Sequence, residues 1–211
     1  GLDALSEYSS KYTDSAKIIL DSIENKKLVF VYNEFLKGSG IIIFSLILKS
    51  LGFTQVMKST DKSNKKSFAV LSGDTPNISD LIKTFNSEEN IDGSYINVII
   101  GSKAVAEGVS LKNVQVEIIQ TPWFNYARID QALARGYRFG SHRALQARGV
   151  VVVQDIYQQV AIPLGETNRS VDVEMYETAQ KKDISFKKIE NIMRETAFDC
   201  RLNYKRNRKS G

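Results

Sequence analysis

Two arginines three residues apart, Arg135 and Arg138, form the group best suited to chemistry, with Gln131 four residues before the first. On a helix, positions three and four apart share a face. The patterning predicts a helix over Asn125 to Tyr137, which would present one amide and two guanidinium groups together. Guanidinium carries a permanent charge and a planar fork of donors that matches phosphate oxygens. In phosphoryl transfer such a group neutralises charge developing on the γ-phosphate, raising the rate by roughly 10³ to 10⁵. Taken alone, the same residues also suit a solvated basic helix face.

A second segment, Ile99 to Leu111, reads Ile-Ile-Gly-Ser-Lys-Ala-Val-Ala-Glu-Gly-Val-Ser-Leu. An apolar strand here delivers Gly101 and Ser102 at its carboxyl end, where open α/β sheets place their sites. Ser102 and nearby backbone N–H groups could hold a phosphate. Glu107-Gly108 allows a close backbone approach. By itself this is also an ordinary strand-to-helix loop.

These groups need elements to position them. Helical spacing of apolar residues predicts helices over Ser15 to Glu24, Ile41 to Leu51 (ending at Gly52) and Asn77 to Phe85, the last capped by Thr75 or Asn77. Short apolar runs predict strands at Lys27 to Tyr32, Ser67 to Leu71, Tyr95 to Ile100, Gln115 to Ile119 and Gly149 to Gln154. Strands apolar on both faces, separated by helices, imply an α/β fold with a parallel sheet flanked by helices. Beyond Pro163 to Asn168 the strands stop. Two helices are predicted there, Val171 to Lys182 and Ser185 to Cys200, with Asp183 or Ser185 capping the second. The chain thus divides into an α/β domain over residues 1–165 and a helical extension with a basic tail over 166–211. The tail holds Arg201, Lys205, Arg206, Arg208 and Lys209, which suit either solvent or a phosphate backbone.

Composition sets outer bounds. With 211 residues, 42% hydrophobic and 25% charged, the chain can bury a core without disulfides or metals. Cys200 is the only cysteine and His142 the only histidine, which rules out an intrachain disulfide and argues against structural zinc. No apolar run approaches the roughly 20 residues of a membrane span, and the start lacks the features of a signal peptide. An intracellular protein with no membrane partner is expected. Beginning at Gly1 rather than Met, the sequence reads as an excised fragment. A net charge of +5 permits a nucleic-acid partner without demanding one. His142 is expected at the surface or in a hydrogen bond, Trp123 in packing, and Cys200 in the core of the last helix.

Taken together, the two blocks resemble motifs V and VI of superfamily 2 helicases, in the correct order. The strand ending Val31-Tyr32-Asn33 resembles motif IV, and Phe68 to Thr75 resembles the strand and turn that follow it. The resemblance spans Lys27 to Gln154. The variety it suggests is the helicase-like ATPases of large nucleocytoplasmic DNA viruses, of the poxvirus early-transcription and termination type. Ser170 to Asp183, leading to Ile189 and Cys200, resembles their C-terminal extension. A giant amoeba virus is the implied source, and host cytoplasm or virion the implied location.

The resemblance implies the second of two RecA-like domains, with ATP held between this lobe and an upstream RecA-like lobe. Arg135 and Arg138 would then reach the phosphates. Gln131 would contact nucleotide or couple the domains, with Gly108 and Ser110 at the nucleotide. Asn33, Ser72, Gly73 and Ser102 would touch an RNA or DNA backbone, and viral transcription machinery is an implied partner. There are departures: Ala134 stands where the motif has glycine, with Gly136 after the arginine instead, and Ser110 replaces an acidic or amide residue. No Gly-x-x-x-x-Gly-Lys-Ser/Thr loop and no Asp-Glu-x-His or Asp-Glu-x-Asp motif occurs. ATP and Mg2+ would therefore be bound mainly by the missing lobe, leaving this fragment inactive alone. Two alternatives stand beside this reading. One is a non-motor docking module of a viral transcription or mRNA-processing complex. The other is an unrelated nucleotide-binding domain, for which Gly38-Ser-Gly40 is the one glycine-rich candidate.

Overall fold

Five consecutive apolar residues, Leu28–Tyr32 (β1), have no polar side on which to meet water, and all five are buried. They occupy the middle of the sheet. In the computed structural model, which describes residues 1–38, 40–58, 66–102, 109–163, 165 and 170–196, β1 is flanked by Val98–Gly101 (β4) and Val114–Ile119 (β5). Thr54–Gln55 (β2), Ser67–Leu71 (β3) and Asp155–Gln158 (β6) complete the order β2-β3-β4-β1-β5-β6. Every pairing is parallel. Tyr32 lies level with Gly101 and Ile119, and Leu71 with Gly101. The segments leaving β3, β4, β1 and β5 therefore emerge side by side at one edge.

Alternate residues of a strand face opposite sides. Val29, Val31, Val98, Ile100, Val116 and Ile118 pack with Ile19, Ile41, Phe44 and Leu48 from helices Ser10–Glu24 (α2) and Ile41–Ser50 (α3). On the other side Phe30, Ile99 and Ile119 meet Leu81 and Phe85 of Ile78–Phe85 (α4), and Ile129 and Ala132 of Tyr126–Leu133 (α5). Phe30 is fully buried at the centre; truncating it to alanine costs about 3 to 5 kcal/mol. Before α2 lies one short helix, Leu2–Ser6 (α1). The start of α3 needs glycine: a Cβ on Gly40 would stand 1.9 Å from the Phe35 carbonyl oxygen, which accepts the Ile41 N–H at 2.9 Å.

Several expectations are corrected. The helix expected from Ser15 starts at Ser10, where the Ser9 hydroxyl accepts the Tyr12 N–H at 3.2 Å. Of the two expected caps of α4, Asn77 holds the N-cap position, without a side-chain capping bond. It takes a left-handed φ of 56°, and the Thr75 hydroxyl turns back to the Ser72 N–H and Val70 carbonyl. The strand expected over Gly149 to Gln154 is displaced to β6. Gly149 turns the chain at φ 76°, and pairing with β5 begins at Asp155 opposite Val116. Lys27 binds Asp155 at 2.9 Å and fixes that register.

After the short helix Arg143–Ala147 (α6), the expected pair of C-terminal helices proves to be one, Val171–Thr196 (α7). Neither glycine nor proline interrupts it, and Asp183 pairs with Lys187 one turn on instead of capping. The first part of α7 is fastened to the sheet domain. Lys11 of α2 pairs with Asp172 and donates to the Gln120 carbonyl at 3.0 Å, while Tyr176 packs on the core. The second part leaves Ile184, Phe186, Ile189, Ile192 and Met193 exposed. Cys200 and the basic tail lie outside the described residues. No described helix is long and apolar enough to cross a membrane.

Candidate functional site

The site begins where α5 leaves the carboxyl edge. The Asn125 side chain caps the helix by accepting the Ala127 N–H at 2.9 Å. One turn on, Arg128 pairs with Glu34 at 2.6 Å and lies 4.0 Å over the Trp123 ring, so Trp123 is engaged in packing. Glu34 also accepts the Tyr32 hydroxyl, and burial first, then this bond, pushes Tyr32 well above the usual tyrosine range. These contacts fix the direction in which α5 runs back along β5 towards its amino end.

There the helix stops at Leu133, four residues before the predicted end. The hydrogen bonds tighten: Arg135 N–H donates to Ala132 and Gly136 N–H to Leu133, each at 3.1 Å. Gly136 is pressed against β5. A Cβ there would meet Glu117 Oε1 at 2.3 Å and Val114 Cβ at 3.1 Å. Arg135 and Arg138 therefore stand on a turn and not on a common helix face. They remain close enough to interact: Arg135 is held below the usual arginine range by partial burial and then by the Arg138 charge. Guanidinium stays charged under such a shift.

The turn is tied to the segment entering β5. The Leu111 N–H donates to the Arg135 carbonyl at 2.8 Å, and Arg138 Nη1 donates to Ser110 Oγ at 2.5 Å. Asn86 braces that segment by donating to the Ser110 carbonyl at 2.8 Å and accepting the Lys112 N–H at 2.7 Å. Arg135 Nε donates to the Gln131 carbonyl at 3.1 Å. Among the described residues, neither Arg135 nor Arg138 has a carboxylate within ion-pair distance. Two cations on one turn without a described counterion suit an anion with several oxygens.

The other expected site residues lie at the opposite end of the sheet. Asn33 follows β1, Ser72 and Gly73 follow β3, and Ser102 follows β4. Asn33 is buried, donating to Gln120 Oε1 at 3.1 Å and accepting the Phe35 N–H at 3.0 Å. Gln120 in turn donates to Ser15 at 2.8 Å. The Ser72 hydroxyl meets Thr75 at 3.0 Å, and the Ser102 N–H donates to the Leu71 carbonyl at 3.3 Å. Of these four residues Gly73 alone is exposed. A cleft of about 400 Å³ opens beside Asn33, lined among others by Tyr12, Phe35, Thr121 and Met175. Gly108 lies outside the described residues. The structure thus gathers Gln131, Arg135, Arg138 and Ser110 at the amino end of β5, and sets Asn33, Ser72, Gly73 and Ser102 apart from them.

Two groups lie beneath the arginine turn, and the sequence reading missed Glu117 and Ser141 but expected a hydrogen bond at His142, which it makes. Glu117 is fully buried in β5. It accepts Gln154 Nε2 at 2.5 Å, and its Oε2 has no described partner. Burial pushes its carboxyl from 4.5 up to about 8, against the opposing effect of the Gln154 bond. A carboxylate inside an apolar strand was the available signal. The second group is Ser141 with His142, both buried and hydrogen-bonded. No described group of three His, Cys, Asp or Glu could hold a metal ion.

Residues 24–140 match the helicase conserved C-terminal domain family. Over 213 residues the chain is 38% identical to a protein named helicase 087L in Invertebrate iridescent virus 3, covering 96% of this chain and 21% of that protein. It is 26% identical to the early transcription factor large subunit homolog of African swine fever virus, over 68% of this chain and 15% of that protein. The chain spans about a fifth of the length of the iridescent virus relative and of a second one, helicase 009L of Frog virus 3. Among solved structures, the C-terminal part of the Fun30 ATPase domain aligns with a TM-score of 0.53 at 18% identity, covering 80% of this chain and 45% of that one. That likeness establishes a shared fold.

Proposed function

The chain belongs to the helicase conserved C-terminal domain family, and on that footing we propose that it is the second RecA-like motor lobe of an ATP-dependent RNA or DNA helicase or translocase. One observation carries the reading: Arg135 and Arg138 stand together on a braced turn with no described carboxylate to neutralise them. In this account ATP lies between the turn and an upstream RecA-like lobe of the same protein. Closure brings the two guanidiniums to the phosphates, and hydrolysis releases them. Arg138 now donates to a neutral hydroxyl, Ser110 Oγ. A phosphate oxygen is the stronger acceptor, so the exchange favours the nucleotide. Gln131 and Ser110 border the same site, and Gly108 belongs to it by its position in the motif.

Nucleic acid would run along the opposite end, over the loops at Asn33, Ser72, Gly73 and Ser102. With three of those side chains buried, contact falls to backbone groups and Gly73. Such contacts address phosphates and carry no base readout, so binding should weaken steeply with salt. Two ligands at opposite ends of one sheet can be bound together, as a motor requires. The donors at the arginine turn, two guanidiniums and a hydroxyl, are not a set that holds Mg2+; the ion would arrive with phosphates bound by the other lobe. The extension over residues 166–211 is assigned to docking, with viral transcription machinery as its partner. The match to an early transcription factor subunit supports that second role, and host cytoplasm or virion is the setting it implies. The test is ATP hydrolysis by the full-length protein with and without RNA and DNA. Stimulation by either, lost in Arg138→Ala, is expected; turnover indifferent to nucleic acid and to that substitution would refute the motor.

A further inference from the structure

The turn carrying the two arginines is closed underneath by a side chain to which the proposed chemistry gives no part. His142 is only 8% exposed, and its Nε2 lies 2.5 Å from the Val114 carbonyl oxygen. A carbonyl can only accept, so Nε2 carries the hydrogen. The Nδ1 atom faces Ser141 Oγ at 2.9 Å. The same hydroxyl lies 3.2 Å from the carbonyl oxygen of Gly136, between the two arginines in sequence; with one proton to donate, it serves Nδ1 or that carbonyl, not both at once. The Ser141 carbonyl accepts the Asn113 N–H at 3.0 Å. The imidazole therefore joins the chain leaving Arg138 to the first residue of β5, and the Ser141 hydroxyl lies between that ring and the chain entering Arg138.

We propose that His142, acting through Ser141, is a positioning residue for the arginine pair: it clamps residues 134–142 to the start of β5 and so sets where the guanidiniums stand. The inference rests on the phosphate-binding role of Arg135 and Arg138. Its chemistry is indirect. His142 is buried beneath the turn, so it touches no nucleotide, and losing it leaves both charges present but displaced. Misplacement of a reacting group by about 1 Å can cost on the order of 100-fold in rate. Displaced arginines should lower kcat far more than they raise KM, because a group needed in the transition state acts on the chemical step.

The experiment compares nucleic-acid-stimulated ATP hydrolysis by the full-length protein and its variants His142→Ala, His142→Gln, Ser141→Ala and Arg135→Ala. Glutamine can place an amide N–H where Nε2 stood, restoring the bond to Val114. His142→Ala is expected to lower kcat roughly 10- to 100-fold with KM for ATP within about threefold of wild type. His142→Gln should recover most of that loss, and Ser141→Ala should lower kcat roughly 3- to 10-fold. The proposal is overturned if His142→Ala keeps kcat within about twofold while Arg135→Ala loses about 10³. It is equally overturned if His142→Gln is as impaired as His142→Ala, or if KM rises in step with the fall in kcat. Should His142→Ala fail to fold, Ser141→Ala decides, and wild-type turnover in that variant refutes the clamp. Wild-type turnover in Arg135→Ala would remove the arginine reading, and the clamp with it.

Discussion

Replacing Glu117 by glutamine should make the protein's stability less sensitive to alkali. The unfolded carboxyl ionises near 4.5, whereas burial in β5 holds the folded one up to about 8. Between those values the folded state keeps a proton that the unfolded state has released, so stability falls as pH rises. The contribution is intact below about 4.5, is lost between 4.5 and about 8, and is flat above. Each pH unit in that window costs about 1.4 kcal/mol. Full ionisation therefore costs on the order of 4 to 5 kcal/mol, and at pH 7 about 3 kcal/mol has been lost. Glutamine keeps an oxygen for Gln154 and has no proton to lose. Urea denaturation of wild type and Glu117→Gln at pH 5, 6, 7 and 8 gives the test. The variant should gain on wild type by about 1 kcal/mol per pH unit. Parallel profiles, or a wild type that gains on the variant with rising pH, would refute the assignment of a protonated buried carboxyl.

Gly136→Ala drives a methyl group to within 2.3 Å of Glu117 Oε1 and should destabilise by about 1 to 3 kcal/mol; equilibrium unfolding measures this, and Glu117→Ala in the same chain should relieve part of it. Lys11→Ala breaks both the pair with Asp172 and the bond to the Gln120 carbonyl, for about 1 to 2 kcal/mol. Amide hydrogen exchange should then quicken across the first turns of α7, and unchanged protection there would count against this fastening. The 211-residue chain alone should show no ATP hydrolysis above background; turnover abolished by Arg135→Ala in this chain would contradict the assignment of the phosphate loop to another lobe.

The sheet was largely legible because its central strands are buried on both faces. Leu28–Tyr32 and Ser67–Leu71 are short, mainly apolar runs, and they formed where expected, as did Val114–Ile119 despite Gln115 and Glu117 within it. The edge was not legible. Val150 to Val153 is more apolar than Asp155–Gln158, yet register with Val116 and the Lys27–Asp155 pair select the latter. The end of α5 was missed for a similar reason. Ala134 and Arg135 favour helix, and only contact of Gly136 with Glu117 shows why the helix gives way. At α7, Asp183 had the composition of a cap, but nothing nearby breaks a helix and Lys187 offers it a partner within the helix. Residue types and spacing pointed to Arg135 and Arg138. They could not show that the loops after β1, β3 and β4 lie at the other end of the sheet, nor that Asn33 spends its amide on Gln120. Both are properties of tertiary packing.

The central claim is that Arg135 serves the chemical step from a turn braced against β5. The most direct measurement is single-turnover hydrolysis of radiolabelled ATP by full-length Arg135→Ala, with ATP affinity measured in parallel by displacement of a fluorescent analogue. The account predicts hydrolysis slowed by about 10³ with affinity within roughly a factor of ten. Hydrolysis at the wild-type rate, or a loss explained wholly by weakened binding, would contradict it.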